Sequence, residues 1–333
     1  MTIAKPRVGI LYWGARGGGK VLAEQLVEDG RLQGYATTYF SRPARKDGTG
    51  RSIPIYFFWN WMNERRRIVS TTLNLGITVM ILPMASPWDL FIGRSLRRRG
   101  VRVSRIIHDA SPHPGDIFPS QIWIRMLCSD ATLVITLSNY VGTKLLAKGY
   151  VKRESLLIGK LPTHFVPKNQ SIQSTPPRTK FLFIGRGRPY KGLHRLLSSW
   201  PMVGSEDSQL TVAGLGHNVP SDTARVTHVD RWLSDAEILA YISECDVVVL
   251  PYSEASQSGL IPIAHSLERP VIVTPIGGLV EQVTDGIDGI ITKNMSIYSL
   301  AEAMNDAIYH QFDFSHQANQ NWDSSLINLC LKS

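Results

Sequence analysis

The chain has 333 residues, 43% hydrophobic and 19% charged, which is enough length and apolar material for two α/β domains with full cores and argues against disorder. Thirty-six Lys and Arg against 27 Asp and Glu leave a formal charge of +9, which favours anionic partners: nucleotide phosphates, nucleic acid or an acidic lipid surface. Three scattered cysteines, Cys128, Cys245 and Cys330, exclude a disulfide framework or a zinc site, the opening residues lack a signal peptide's apolar core, and Arg65, Arg66 and Arg67 break the longest apolar run, so a cytoplasmic chain without a spanning helix or a structural metal is expected.

In chain order, Arg7 to Trp13 reads as a short buried strand, followed by glycines and an amphipathic helix from about Val21 to Asp29. Further strands are expected at Ala36 to Phe40, Ile77 to Pro83, Val103 to His108 and Leu133 to Leu137, with a helix start at Ser138 and Asn139. The stretch from Pro167 to Thr179 is polar, proline-bearing and without period, which makes it the best linker in the chain. Beyond it, strands recur at Lys180 to Ile184, Gln209 to Ala213, Asp246 to Pro251 and Pro270 to Thr274. Two runs of alternating strand and helix imply an α/β fold with two doubly wound parallel sheets, and domains over 1–167 and 168–312. In such sheets ligands bind outside the carboxyl ends of the strands, so the residues following each strand are the functional candidates.

The first candidate turn, Gly14 to Lys20, has the glycine and lysine spacing of a phosphate-binding loop, but Val21 stands where a magnesium-binding hydroxyl is required. A plain tight turn is the simple reading. Gly17, Gly18 and Gly19 nevertheless let backbone amides approach a phosphate or sugar at a helix N-terminus. The second candidate runs from Phe181 through Gly185 and Arg186 to Lys191 and Gly192, leaving a strand and entering a helix. Arg186 and Lys191 could converge on the two phosphates of a nucleotide diphosphate; a solvated basic loop is the alternative. The third is Pro251 to Leu260, where the amides around Ser258, Gly259 and Leu260 would form an anion site and Glu254 or Gln257 would hydrogen-bond sugar hydroxyls; an ordinary helix cap is the alternative. Thr274 to Leu279 follows the next strand as a glycine turn, with Glu281 and Asp285 after it.

The set Gly185-Arg186 to Lys191-Gly192, Ala213-Gly214 to Gly216, Asp246 to Pro251, Ser256 to Gly259, Pro270 to Gly278 and Asp285-Gly286 to Gly289 resembles the retaining glycosyltransferases of family 4 over about residues 180 to 290. The resemblance implies the GT-B architecture, two Rossmann-like domains facing across a cleft, with a nucleotide diphosphate sugar as donor held mainly by the second domain. It implies metal-independent transfer, no cofactor, and donor contacts at Gly185 and Gly214. It also implies a tail over 313–333, bearing Trp322 and Leu326 to Leu331, that packs back on the first domain. The family often carries two glutamates separated by seven residues; Glu254 lies near the first position, and the second falls near Ile263 or Ala264, neither acidic. A histidine is placed near the donor sugar at a strand end in the first domain, and His108 is the matching residue, with His113 and Asp116 as second choices. The catalytic set is then His108, Arg186, Lys191 and Glu254.

On the acceptor side, the aromatic and arginine run from Tyr56 to Arg67 and the cluster Arg94, Arg97, Arg98, Arg99, Arg102 and Arg105 suit the headgroup boundary of an anionic membrane, or equally a core-facing stripe with a solvated arginine face. No nucleic-acid module accompanies the charge. The expectation is a cytoplasmic enzyme, peripheral on the inner face of the membrane, that moves a sugar to a glycan or lipid-linked hydroxyl in bacterial surface polysaccharide or glycolipid synthesis. A nucleotide-sugar epimerase of the same fold and a silent nucleotide-sugar-binding partner of another transferase are the competing readings.

Overall fold

The computed structural model describes residues 5–12, 18–41, 54–86, 89–112, 120–161, 176–315 and 326–332. The chain falls into two compact units, Met1–Lys160 with Trp322–Ser333, and Leu161–Asn321. The stretch expected to act as a linker lies outside the described residues as far as 175.

The first unit contains β1 (Arg7–Tyr12), α1 (Gly18–Leu32), β2 (Ala36–Ser41), α2 (Pro54–Asn74), β3 (Val79–Leu82), α3 (Asp89–Arg97), β4 (Arg102–Ile107), α4 (Gln121–Asp130), β5 (Leu133–Thr136), α5 (Asn139–Ala147) and β6 (Leu156–Ile158). Its six strands are all parallel, in the order β2-β1-β3-β4-β5-β6. Ser138 caps α5 as the sequence anticipates: its backbone is extended and its hydroxyl accepts from the Val141 amide at 3.3 Å.

The second unit contains β7 (Lys180–Ile184), α6 (Leu193–Ser199), β8 (Gln209–Ala213), β9 (Val226–Val229), α7 (Asp235–Glu244), β10 (Val247–Leu250), α8 (Leu260–Ser266), β11 (Val271–Val273), β12 (Gly289–Ile291) and α9 (Ile297–Tyr309). The order β12-β11-β10-β7-β8-β9, again all parallel, reverses direction between β7 and β10. Both faces of this sheet are covered, which explains its unbroken apolar strands. Phe181 and Phe183 of β7, with Val247 and Val249 of β10, pack into a core with Trp200 and Met304. The alternate residues Leu182, Ile184, Val248 and Leu250 pack on the opposite face with Ile242 and Ala264.

A last helix, α10 (Leu326–Leu331), packs within the first unit: the Tyr35 hydroxyl donates to Asn328 Oδ1 at 3.1 Å, the Ser104 hydroxyl to the Cys330 carbonyl at 2.5 Å and Arg102 Nη2 to the Leu331 carbonyl at 2.8 Å. Cys128, Cys245 and Cys330 are buried, and desolvation pushes each thiol up to about 12.

Candidate functional site

Strand order reverses between β7 and β10, so the loops leaving these two strands flank the position where doubly wound sheets bind ligands. They are stitched together. The Ser253 amide donates to the Tyr190 carbonyl at 2.7 Å, Arg195 Nη1 donates to the Pro251 carbonyl at 2.7 Å, and the Tyr190 and Tyr252 rings meet edge to face with centroids 6.1 Å apart. A short 3-10 turn, Pro189–Lys191, ends at Gly192 with φ of 73°, and a Cβ there would strike the Pro251 carbonyl, so only glycine permits this closeness.

This scaffold positions Lys191. Its ammonium lies 5.3 Å from the centroid of the Tyr252 ring and fills the space that a Cβ on Gly185 would occupy. Arg186, one residue beyond Gly185, is exposed. Among the described residues neither Arg186 nor Lys191 has an acidic partner. Two cations without a counter-ion at a strand-order reversal make an anion-receiving site.

The adjoining β8 loop completes the arrangement. Gly185 donates its amide to the Ala213 carbonyl at 2.9 Å and Gly187 donates to the Leu215 carbonyl at 2.8 Å, extending the β7–β8 pairing past the sheet. Gly185 and Gly214 both have φ of 128°, and a Cβ on Gly214 would collide with the Gly185 carbonyl. His217 is buried; its Nε2 lies 2.6 Å from that same carbonyl, and its ring meets Phe183 edge to face at 5.3 Å. A carbonyl only accepts, so Nε2 carries the proton. Burial holds the His217 pKa below the ordinary imidazole value; the bond to Gly185 opposes this, Lys191 and His228 add to it, and Asp230 opposes it.

The third candidate segment is arranged differently from expectation. The Ser258 amide donates to Gln282 Oε1 at 2.7 Å, Gln282 Nε2 returns a bond to the Ser258 carbonyl at 3.0 Å, and the Leu260 amide donates to the Ser258 hydroxyl at 3.3 Å. Two of the three amides expected to meet an anion, those of Ser258 and Leu260, are thus engaged inside the protein in this arrangement. The physical reason is that Gln282, on the loop after β11, supplies the same acceptor that an anion would. Gly259 is exposed, and Gln257 and Glu254 are half-buried on the loop that Ser253 ties to Tyr190. Among the described residues the Glu254 carboxylate has no ion pair.

In the first unit the strand order reverses between β1 and β3. Gly17 lies outside the described residues; Gly18 is exposed, and Gly19 in the first turn of α1 is buried where a Cβ would meet Tyr12 and Met84. His108 follows β4, half-buried, with Nε2 2.8 Å from the Pro83 carbonyl at the end of β3. Burial lowers its pKa, against the Pro83 bond and the Asp109 charge. His113 and Asp116 lie outside the described residues.

The arginine cluster of this unit needs correction. Arg105 is fully buried, 3.8 Å from Asp130 Oδ2, because it stands on a central strand whose both faces are covered. Arg94 also reaches Asp130, at 3.6 Å, and Arg97, Arg99 and Arg102 donate to the carbonyls of Ser129, Ser95 and Leu331. On α2, Trp61 is buried against Phe91 at 5.3 Å and Arg65 Nη2 bonds the Ser95 hydroxyl at 2.7 Å, while the side chains over 54–60 lie outside the described residues. Arg66 and Arg98 are exposed and have no partner among the described residues. No helix among the described residues is long and apolar enough to cross a membrane, and no group of three His, Cys, Asp or Glu among them could hold a metal ion.

Sequence reasoning singled out neither His217 nor Tyr252 nor the Gln282 clamp. The first two had a signal: His217 follows Gly214-Leu-Gly216 immediately after a clear strand, and Tyr252 is the second residue past another. Gln282 had none, since its partner lies 24 positions away.

Comparison with known proteins bears on the second unit first. Residues 178–310 match the family model described as Glycosyl transferases group 1. That stretch contains β7 through α9 and with them Arg186, Lys191 and His217. A GDP-mannose:glycolipid 4-beta-D-mannosyltransferase of Xanthomonas campestris pv. campestris is 30% identical over 109 residues, which are 30% of this chain and 31% of that enzyme. The match thus spans about a third of that relative's length. In solved structures, sucrose-phosphate synthase from Thermosynechococcus elongatus superposes with a TM-score of 0.72 at 16% identity over 98% of this chain and 97% of its own. The Anabaena protein HepE, in complex with UDP and glucose, gives 0.67 at 15% identity over 97% of both chains. These likenesses show the fold, the two-domain α/β architecture called GT-B.

Proposed function

We propose that the protein is a glycosyltransferase that takes a sugar from a nucleotide diphosphate sugar and delivers it to a hydroxyl of a glycan or lipid-linked acceptor. The observation that carries the proposal is the pair Arg186 and Lys191, without acidic partners among the described residues, beside the strand-order reversal of the unit that matches the group 1 model. The diphosphate departs as the glycosidic bond to the donor breaks, and negative charge grows on the leaving oxygen. A fixed ammonium and a guanidinium stabilise that charge most when it is fully developed, so they lower the barrier rather than only tightening binding. Metal-independent transfer is part of the proposal, with the two cations offsetting the diphosphate charge.

The bound UDP and glucose in HepE and the GDP-mannose in the mannosyltransferase's name support a nucleotide sugar as donor class. Retention of anomeric configuration is the reading carried by the family 4 resemblance; the name of the mannosyltransferase specifies a β linkage, so the product anomer is where this detail is most exposed. Glu254 and His108 are assigned to sugar hydroxyls, and the glycines at 18 and 19 to close backbone approach on the acceptor side. Surface polysaccharide or glycolipid synthesis at the inner face of a membrane is the setting we propose, with exposed Arg66, Arg98 and Phe91 offering the lipid contact.

The test is sugar transfer from a panel of nucleotide sugars to lipid-linked and glycan acceptors, with product anomer read by NMR. Arg186→Ala and Lys191→Ala should each lose turnover by about a hundredfold with the fold intact. Near-normal rates in both would contradict the proposal. Conversion of a donor to an isomer with no acceptor present would mark an epimerase instead.

A further inference from the structure

We infer that His217 is a positioning residue of the diphosphate site: its Nε2–H bond to the Gly185 carbonyl fixes the glycine against which the Lys191 ammonium rests and keeps that ammonium free for an anion. This deepens the nucleotide-sugar reading above and rests on it.

Three observations converge on one residue, Gly185. The Lys191 ammonium fills the space of an absent Cβ on Gly185, the imidazole caps the carbonyl of Gly185 at 2.6 Å, and the Gly185 amide is engaged by Ala213 at 2.9 Å. Sheet pairing does not need the imidazole, because β7 and β8 are already in register from Lys180 with Gln209 to Ile184 with Ala213. What the imidazole changes is the chemistry at the loop. Without it the Gly185 carbonyl is a bare acceptor on the residue the ammonium touches, and a lysine with three rotatable donors turns to it. A carbonyl drawing on Lys191 would compete with the diphosphate. The neutral state suits this role, since an imidazolium beside Lys191 would add repulsion, and both burial and the Lys191 charge disfavour it. The charged and titratable groups facing the ring are Lys191, His228 and Asp230.

The experiment is calorimetric titration of the full chain with UDP, GDP and ADP, comparing wild type with His217→Met, His217→Ala, His217→Gln, Lys191→Ala and the double variant His217→Met with Lys191→Ala. The methionine variant keeps volume against Phe183 while removing the donor, and the alanine variant repeats the test if the methionine variant does not fold. Loss of the donor should weaken binding of the accepted diphosphate by about tenfold. Glutamine, whose amide can still donate to the carbonyl, should restore affinity to within about threefold of wild type. In the Lys191→Ala background the same His217 change should cost less than about twofold, because the group it positions is gone. Additive losses in the double variant, or wild-type affinity in both donor-free variants, would overturn the inference. Unchanged affinity in Lys191→Ala, or no binding of any diphosphate by wild type, would instead overturn the nucleotide reading beneath it; neither outcome involves His217, so the two failures are distinguishable.

Discussion

The arginines of the first unit and the two cations after β7 add the same formal charge per residue and end in opposite states. Arg105 is buried against Asp130, Arg94 reaches the same carboxylate from the surface, and Arg97, Arg99 and Arg102 each bond a backbone carbonyl, of Ser129, Ser95 and Leu331. Lys191 rests against a tyrosine face and a glycine backbone, neither of which neutralises it, and Arg186 is exposed with no acidic partner among the described residues. A net charge of +9 therefore says little about how many cations a partner can meet. The contrast is clearest between Arg105 and the pair, because a basic residue inside a central strand must bring its own counter-ion, whereas one at a strand's carboxyl end faces open space.

The largest effect is expected on removing the buried cation. Arg105→Ala removes one of the two arginines paired with the buried Asp130, leaving Arg94 at 3.6 Å, and should cost about 2–3 kcal/mol in urea unfolding, whereas Lys191→Ala should cost under about 1 kcal/mol. Equal costs would erase the distinction. A smaller effect is expected at Gly214, where an added Cβ meets the Gly185 carbonyl at φ of 128°. Gly214→Ala should destabilise by about 1–3 kcal/mol and weaken nucleoside diphosphate binding as well, read by melting and titration together.

Acid titration sharpens the comparison further. His108 and His217 both have pKa values pushed below the ordinary 6.5, mainly by burial. The unfolded chain then binds protons before the folded one as the pH falls through 6.5, so stability present above that value is lost towards the lowered folded pKa. His217→Gln should flatten this limb of the stability profile; an unchanged slope would mean that His217 does not titrate differently on folding. The smallest effect belongs to Arg98, exposed and unpartnered among the described residues. Arg98→Glu should shift stability by less than about 0.5 kcal/mol while lowering co-sedimentation with vesicles of anionic lipid, and unchanged co-sedimentation would remove this residue from the proposed membrane contact.

Much of the fold was legible because central strands of a parallel sheet are apolar on both faces. Lys180–Ile184 and Gln209–Ala213 have the bounds their composition predicts. The strands that escaped notice, β6, β9 and β12, are all at sheet edges, short and weakly patterned: Val226–Val229 reads VTHV with its two central residues exposed. The site was legible in part for a related reason. A strand followed by glycine and a cation is a local signal, so Arg186 and Lys191 could be singled out from the residues alone. Whether a backbone amide is unoccupied depends on side chains brought from elsewhere, and Gln282 closing on Ser258 is invisible to spacing. Charge alone does not distinguish Arg105 from its exposed neighbours, because its burial depends on the central strand that carries it.

The central claim is most directly tested by a crystal structure with the nucleoside diphosphate that binds best. Diphosphate oxygens are expected within about 3 Å of Lys191 Nζ and of the Arg186 guanidinium. A well-ordered nucleotide bound elsewhere, with both cations turned to solvent, would contradict it.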